Sequence, residues 1–183
     1  MTYANTSDAP STNPRTITFS ITDGTNASNS ATKTINVIAV NDAPSISAPA
    51  GPITPSAVVV AFNGANAIAV NDIDAAANPL QVTLTATNGA VTFASQSGPV
   101  VTFTGTLTQI NASLSEMTFT FASRAAASLQ ITVNDQGNSG TGGAQSDTRM
   151  IAINAPAADI PMLNPYALIL LALALAAIAI ARQ

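Results

Sequence analysis

From Leu80 to Ala86 the chain alternates: Leu80, Val82, Leu84 and Ala86 against Gln81, Thr83 and Thr85. A period of two puts one set of side chains on each face of an extended strand, so this stretch predicts a half-buried β-strand. The same pattern returns in Ile17/Phe19/Ile21, Ile35/Val37, Val91/Phe93, Val101/Phe103, Met117/Phe119/Phe121, Leu129/Ile131/Val133 and Ile151/Ile153. Short strands at this spacing, divided by clusters of Gly, Asn, Asp and Ser, predict an antiparallel β-sandwich. Asn88-Gly89 lies between two alternating runs and predicts a tight hairpin turn. One segment breaks the period. Leu107, Ile110 and Leu114 recur at helical spacing, and Thr106 with Gln109 has the arrangement of a capping box, which predicts a helical turn over 107–114.

Composition narrows the chemistry. Charged residues are 8% of the chain, against a usual ~25%, while 47% is apolar, enough to build a core. There is no Cys and no His, which excludes disulfides, thiolate catalysis, Ser-His-Asp catalysis and the commonest transition-metal ligand. Trp is absent and the five basic residues are scattered, so neither base stacking nor a phosphate-binding patch is available and no nucleic-acid partner is expected. Glu116 is the lone Glu, and a two-carboxylate glycosidase would need it paired across a cleft. No nucleophile–base pair or phosphate loop is visible, so no enzyme is expected. Gly137, Gly140, Gly142 and Gly143 mark a flexible loop, and the sequons at Asn5, Asn26 and Asn111 are chance.

The chain divides into four parts. Residues 1–43 hold two strands, too few to bury a face alone. Residues 44–154 hold the complete all-β domain, and 155–162 form a linker. From Tyr166 to Ala181 the residues are all apolar; as a helix this run spans about 24 Å against a hydrocarbon core of ~30 Å. A transmembrane anchor over 163–183 is therefore expected, with Pro165 in its first turn and Arg182 as a weak cytoplasmic marker. The polar N-terminus lacks a secretory leader, which suggests the tail of a longer gene product.

Carboxylates cluster near predicted strand ends. Asp72 and Asp74 stand two apart and face one way in an extended chain, where they repel unless a cation lies between them. Calcium takes six to eight oxygens from carboxylates, amides and carbonyls. Asn41 and Asp42, before Pro44, are placed to add oxygens, and Asp135 ends a strand that reaches the same end of the sandwich. The competing reading is ordinary turn chemistry for these Asp and Asn residues.

Several blocks resemble bacterial cadherin-like or Ig-like adhesin repeats. "YANTSDAPSTNPRTITFSITDGTNASNSATKTINVIAVNDAP" resembles the second half of one repeat, and "VNDIDAAANPLQVTLTATNGAVTF", "VTFTGTLTQINASLSEMTFTF" and "LQITVNDQGNSGTGG" resemble parts of the next. By that resemblance Asn41 and Asp42 match a calcium-binding linker, Asp72 and Asp74 an Asp-x-Asp pair, Asp135 a late Asp ligand and Asn78 an amide ligand. Asp23 would be the late Asp of the incomplete repeat. The early acidic ligand of such sites has no counterpart here, since Phe62-Asn63-Gly64 occupies its place. Binding in the ~10⁻⁴–10⁻³ M range of extracellular modules is expected. The end of the chain, "IPMLNPYALILLALALAAIAIARQ", is similar to C-terminal sorting signals of the Ile-Pro-Thr-Leu type. Ile160, Pro161 and Leu163 match, and Tyr166 stands where Trp is usual.

The expectation as a whole is an all-β fold, an Ig/cadherin-like antiparallel β-sandwich repeat plus a single C-terminal transmembrane helix. The chain would be the calcium-stiffened stalk of a surface adhesin-type protein in the cell envelope, a single-pass membrane protein with its β domain extracytoplasmic. Its partners would be neighbouring repeats, membrane lipid through 163–183 and an exosortase-type processing enzyme. The alternatives are the non-catalytic end of a larger secreted or surface enzyme, or a fragment without independent function.

Overall fold

The computed structural model describes residues 2–137 and 139–157. Two strands come first, β1 (Arg15–Phe19) and β2 (Ala31–Ile35), paired antiparallel with Ile17 opposite Lys33. They form a ribbon that contributes nothing to the hydrophobic core. The core is built by the later elements: β3 (Ser45–Ser47), β4 (Val59–Ala61), β5 (Ala69–Asn71), β6 (Leu80–Thr87), β7 (Gly89–Phe93), β8 (Gln96–Gly98), β9 (Val100–Gly105), α1 (Leu107–Glu116), β10 (Thr118–Phe121), β11 (Ala127–Asn134) and β12 (Ser146–Ile153). One four-stranded sheet runs β4-β10-β7-β8 and the other β12-β11-β6-β9. The small pair β3-β5 lies beside them.

Alternation decides which side chains go inside. Leu80, Val82, Leu84 and Ala86 of β6 and Ala127, Leu129, Ile131 and Val133 of β11 are all buried, while the residues between them are not. They join Phe62, Val91, Phe119, Ile151 and Ile153 in one apolar core. The predicted helical turn is present and runs to Glu116. Thr106 accepts from the Gln109 N–H, and the Gln109 side chain accepts from the Thr106 N–H at 2.9 Å, which satisfies two end donors. Ile110 and Leu114 are its buried face.

Asn88-Gly89 does not make a hairpin. β6 and β7 belong to different sheets, so the chain turns a corner across the sandwich here. Asn88 takes a φ of 53°, its Nδ2 donates to the Ala125 carbonyl at 2.9 Å, and its Oδ1 accepts from Ser123 Oγ at 2.8 Å. A Cβ on Gly89 would stand 2.6 Å from the Thr120 carbonyl oxygen, so only glycine lets the two backbones approach. An Asn-Gly pair signals a sharp reversal, but what sits across from it is decided by tertiary packing.

The expected transmembrane helix and single-pass location are corrected. Among the described residues no helix is long and apolar enough to cross a membrane. The helix that is described, α1, has 10 residues and spans about 15 Å, half a hydrocarbon core, and has a polar face as well as a buried one. The segment 163–183 and the motif positions Ile160, Pro161, Leu163 and Tyr166 lie outside the described residues. The fold class that stands is all-β: among the described residues, two four-stranded antiparallel sheets and the β3-β5 pair surround one core, with one short α-helix.

Asn111 sits on α1 and completes the edge of β5. Its Oδ1 accepts from the Val70 N–H at 2.8 Å and its Nδ2 donates to the Val70 carbonyl at 2.9 Å, much as a neighbouring strand would. Replacing Asn111 by Ala leaves both backbone groups of buried Val70 unpartnered. The expected loss is about 2–3 kcal/mol in a urea melt. A loss under ~0.5 kcal/mol would show that water replaces the amide.

Candidate cation site

The segment joining the ribbon to the sandwich is held by the β11–β12 loop. Asn41 donates its backbone N–H to the Thr141 carbonyl at 2.8 Å, and Thr141 returns its N–H to the Ala39 carbonyl at 2.9 Å. The Asn41 side chain is buried. Its Nδ2 donates to Asp135 Oδ2 at 2.6 Å and to the Gly143 carbonyl at 3.0 Å, and its Oδ1 accepts from Ser139 Oγ at 3.0 Å. Gln145 Nε2 donates to the Asn41 carbonyl. The glycines of this loop, expected as a mark of flexibility, serve a clamp instead. Gly140 has a φ of 78°, and a Cβ there would stand 2.8 Å from the Val40 carbonyl carbon. Sequence reasoning missed Ser139, Thr141 and Gln145, because hydroxyls and amides in a Gly-rich loop carry no pattern of their own.

Beside the clamp lies the carboxylate pair. Asp72 directly follows the short strand β5, and its Oδ1 accepts from the backbone N–H groups of Asp74 at 3.2 Å and Ala75 at 3.1 Å. That bend turns the Asp74 side chain back toward the joint, where its Oδ2 accepts from the Asp42 N–H at 3.0 Å. The other oxygens, Asp72 Oδ2 and Asp74 Oδ1, are buried with no hydrogen-bond partner among the described residues. Two adjacent acceptors without a donor need a proton or a cation between them.

The electrostatics agree. Burial, with the Asp74 carboxylate beside it, pushes the Asp72 carboxyl up to about 6. Asp74 is also desolvated, which works against ionisation. Hydrogen bonds from Asp72, the Asp42 backbone and Ser139 nonetheless hold it below its ordinary value. One carboxylate thus carries the charge and the other the proton, until pH rises or a cation replaces the proton.

The six expected ligands fall into two linked groups. Asp72 and Asp74 form the pair, with Asp42 joined to it through its backbone. Asn41 and Asp135 form the clamp, and Ser139 touches both groups through Asn41 and Asp74. Asp135 is committed to protein donors: its Oδ1 accepts from the N–H groups of Gly137 at 2.9 Å and Gln145 at 2.7 Å. Asn78 closes the Asp72 loop, donating its N–H to the Ala75 carbonyl at 2.7 Å. Among the described residues no three His, Cys, Asp or Glu side chains gather as a metal cluster. A cation here would rest on Asp72 and Asp74, with the Ser139 hydroxyl and solvent completing an all-oxygen shell. Such a shell suits a hard ion such as calcium.

The raised pKa of Asp72 fixes the sign of a pH effect. Its folded value lies above the unfolded ~3.9, so the stability it confers is complete below pH ~4 and is lost as pH rises through 6. Without divalent cations, melting temperature is expected to fall by a few degrees between pH 4.5 and 7.5 and to stay level over that range in millimolar calcium. A cation-free chain that gains stability across the window would rule out the shared proton.

No family model, no curated protein and no solved structure matches the chain.

Proposed function

We propose that residues 44–154 form a repeat module of the cadherin-like or Ig-like adhesin type, a non-catalytic spacer whose joint to the preceding segment is stiffened by calcium at Asp72 and Asp74. The observation that carries this reading is the pair of buried, unpartnered carboxylate oxygens beside a hydrogen-bonded linker. A turn needs Asp72 Oδ1 to cap two backbone N–H groups. It gives no role to Asp72 Oδ2 and Asp74 Oδ1, which are buried without a hydrogen-bond partner among the described residues.

The physical role comes from position. Asp42 belongs to the linker, and its backbone is tied to Asp74 of the sandwich. An ion on Asp74 removes the repulsion that otherwise acts on this tie at neutral pH. Calcium thus converts a joint that tolerates protonation into one that is rigid when ionised. Stacked modules of this kind act as a stalk for an adhesive domain, and rigidity is what a stalk supplies.

The test is a pair of thermal melts at pH 7.5, in chelator and in calcium. At 100 times Kd, calcium is expected to stabilise by about 2.7 kcal/mol, a shift of roughly 3–6 °C. Asp72→Asn separates the readings. Its amide keeps the capping oxygen and supplies a permanent donor toward Asp74. The variant is expected to melt higher than the parent in chelator at pH 7.5 and to lose the calcium shift. Equal calcium shifts in parent and variant would refute the site.

A further inference from the structure

The ribbon and the β11–β12 pair are an internal repeat, and they are paired differently. Ile17, Phe19, Ile21 and Asp23 correspond to Leu129, Ile131, Val133 and Asp135, and Ile38-Ala39-Val40-Asn41 corresponds to Ile151-Ala152-Ile153-Asn154. The correspondence extends to geometry. Asn41 N–H to the Thr141 carbonyl and Thr141 N–H to the Ala39 carbonyl repeat the pattern of Asn154 N–H to Ile53 and Ile53 N–H to Ala152. Each gives a parallel bridge at the equivalent residue, Val40 with Thr141 and Ile153 with Ile53.

The register departs from this likeness. In the sandwich Leu129 faces Ile151 and Ala127 faces Ile153. The equivalent ribbon pairs would be Ile17 with Ile38 and Arg15 with Val40. Instead Ile17 faces Lys33 and Arg15 faces Ile35, five residues away. Five is odd, so the shift moves one strand's inward set to the other face. The consequence is visible in exposure. Phe19, Ile21, Ile38 and Val40 are 45%, 78%, 72% and 61% exposed, whereas their counterparts Ile131, Val133, Ile151 and Ile153 are 0%, 0%, 2% and 1% exposed.

We infer that the 15–40 hairpin has a second register, five residues from the described one, in which Ile17, Phe19, Ile21, Ile38 and Val40 share one face. The ladder then lengthens from five pairs to the eight of β11–β12. Val40 becomes bonded on both edges, to Arg15 on one and Thr141 on the other, as Ile153 is to Ala127 and Ile53. The described register leaves residues 36–40 outside the ladder, and the second carries the ladder up to the clamp. The register therefore sets how stiffly the ribbon meets the sandwich. This stands on strand pairing and does not depend on the cation.

The absence of Cys from the chain allows a direct trap. Directly opposed residues in an antiparallel pair have Cα atoms ~4.5–5.5 Å apart, within disulfide reach, whereas residues five positions out of register are about 17 Å apart. Ile17→Cys with Ile38→Cys reports the second register, and Ile17→Cys with Lys33→Cys the described one. Thr132→Cys with Thr148→Cys, across β11 and β12, shows that the oxidant closes a paired site. In the full-length chain the 17–38 disulfide is expected to form, because oxidation accumulates even a state populated at ~1–10%. Closure of the control without closure of 17–38 overturns the inference, whether or not 17–33 closes.

Discussion

A buried amide, Asn41, stands at the centre of the joint between the two parts of this chain. Asn41 spends both side-chain polar atoms and both backbone polar groups on the loop between β11 and β12. A buried amide is costly unless every group on it is satisfied, so the loop must present its carbonyls, its carboxylate and its hydroxyl in one arrangement. That requirement explains the positive-φ glycines, the position of Asp135 and the use of Gln145. It also brings Asp42 to Asp74. The tie between the linker and the carboxylate pair is therefore a consequence of the clamp: without Asn41 in place, the linker would not lie where it meets the Asp72 bend.

The pair in turn is balanced between two states. Two oxygens with no donor, one of them on a carboxyl pushed up to about 6, cannot be both ionised and comfortable. On the proposed reading, a proton and a divalent ion compete for the same place. In this balance the acidic end of the sandwich supplies the response to conditions, and the clamp supplies the fixed geometry on which the response acts. Hydrogen bonds alone would give a joint indifferent to ions, and exposed carboxylates alone would give one with no defined shape.

Much of this fold is legible in the sequence, because its core strands alternate cleanly. Leu80 to Ala86 and Leu129 to Val133 can bury their apolar sets in only one way. The capping box at Thr106 and Gln109 is equally local, and it holds. Asn88-Gly89 shows where legibility ends. The pair announces a reversal, yet the destination of the next strand depends on Phe119 and Thr120, which are distant in sequence. The candidate site is readable by half. Asp72 and Asp74 declare themselves by spacing. Ser139 and Gln145 do not, since their role comes from a long-range contact with Asn41.

The ribbon shows the same limit from the other side. Its sequence carries the apolar alternation of a core pair, and alternation alone predicts strands, which are present. Register is a different quantity. Inside the sandwich it is fixed because a one-residue slip would send Leu129 and Ile131 into solvent. Among the described residues the ribbon has no opposing layer, so the burial that penalises a wrong register is missing there, and threonine pairs such as Thr16 with Thr34 and Thr18 with Thr32 compete on nearly equal terms. A pattern that specifies one structure in a closed sandwich specifies only a family of pairings in an open one.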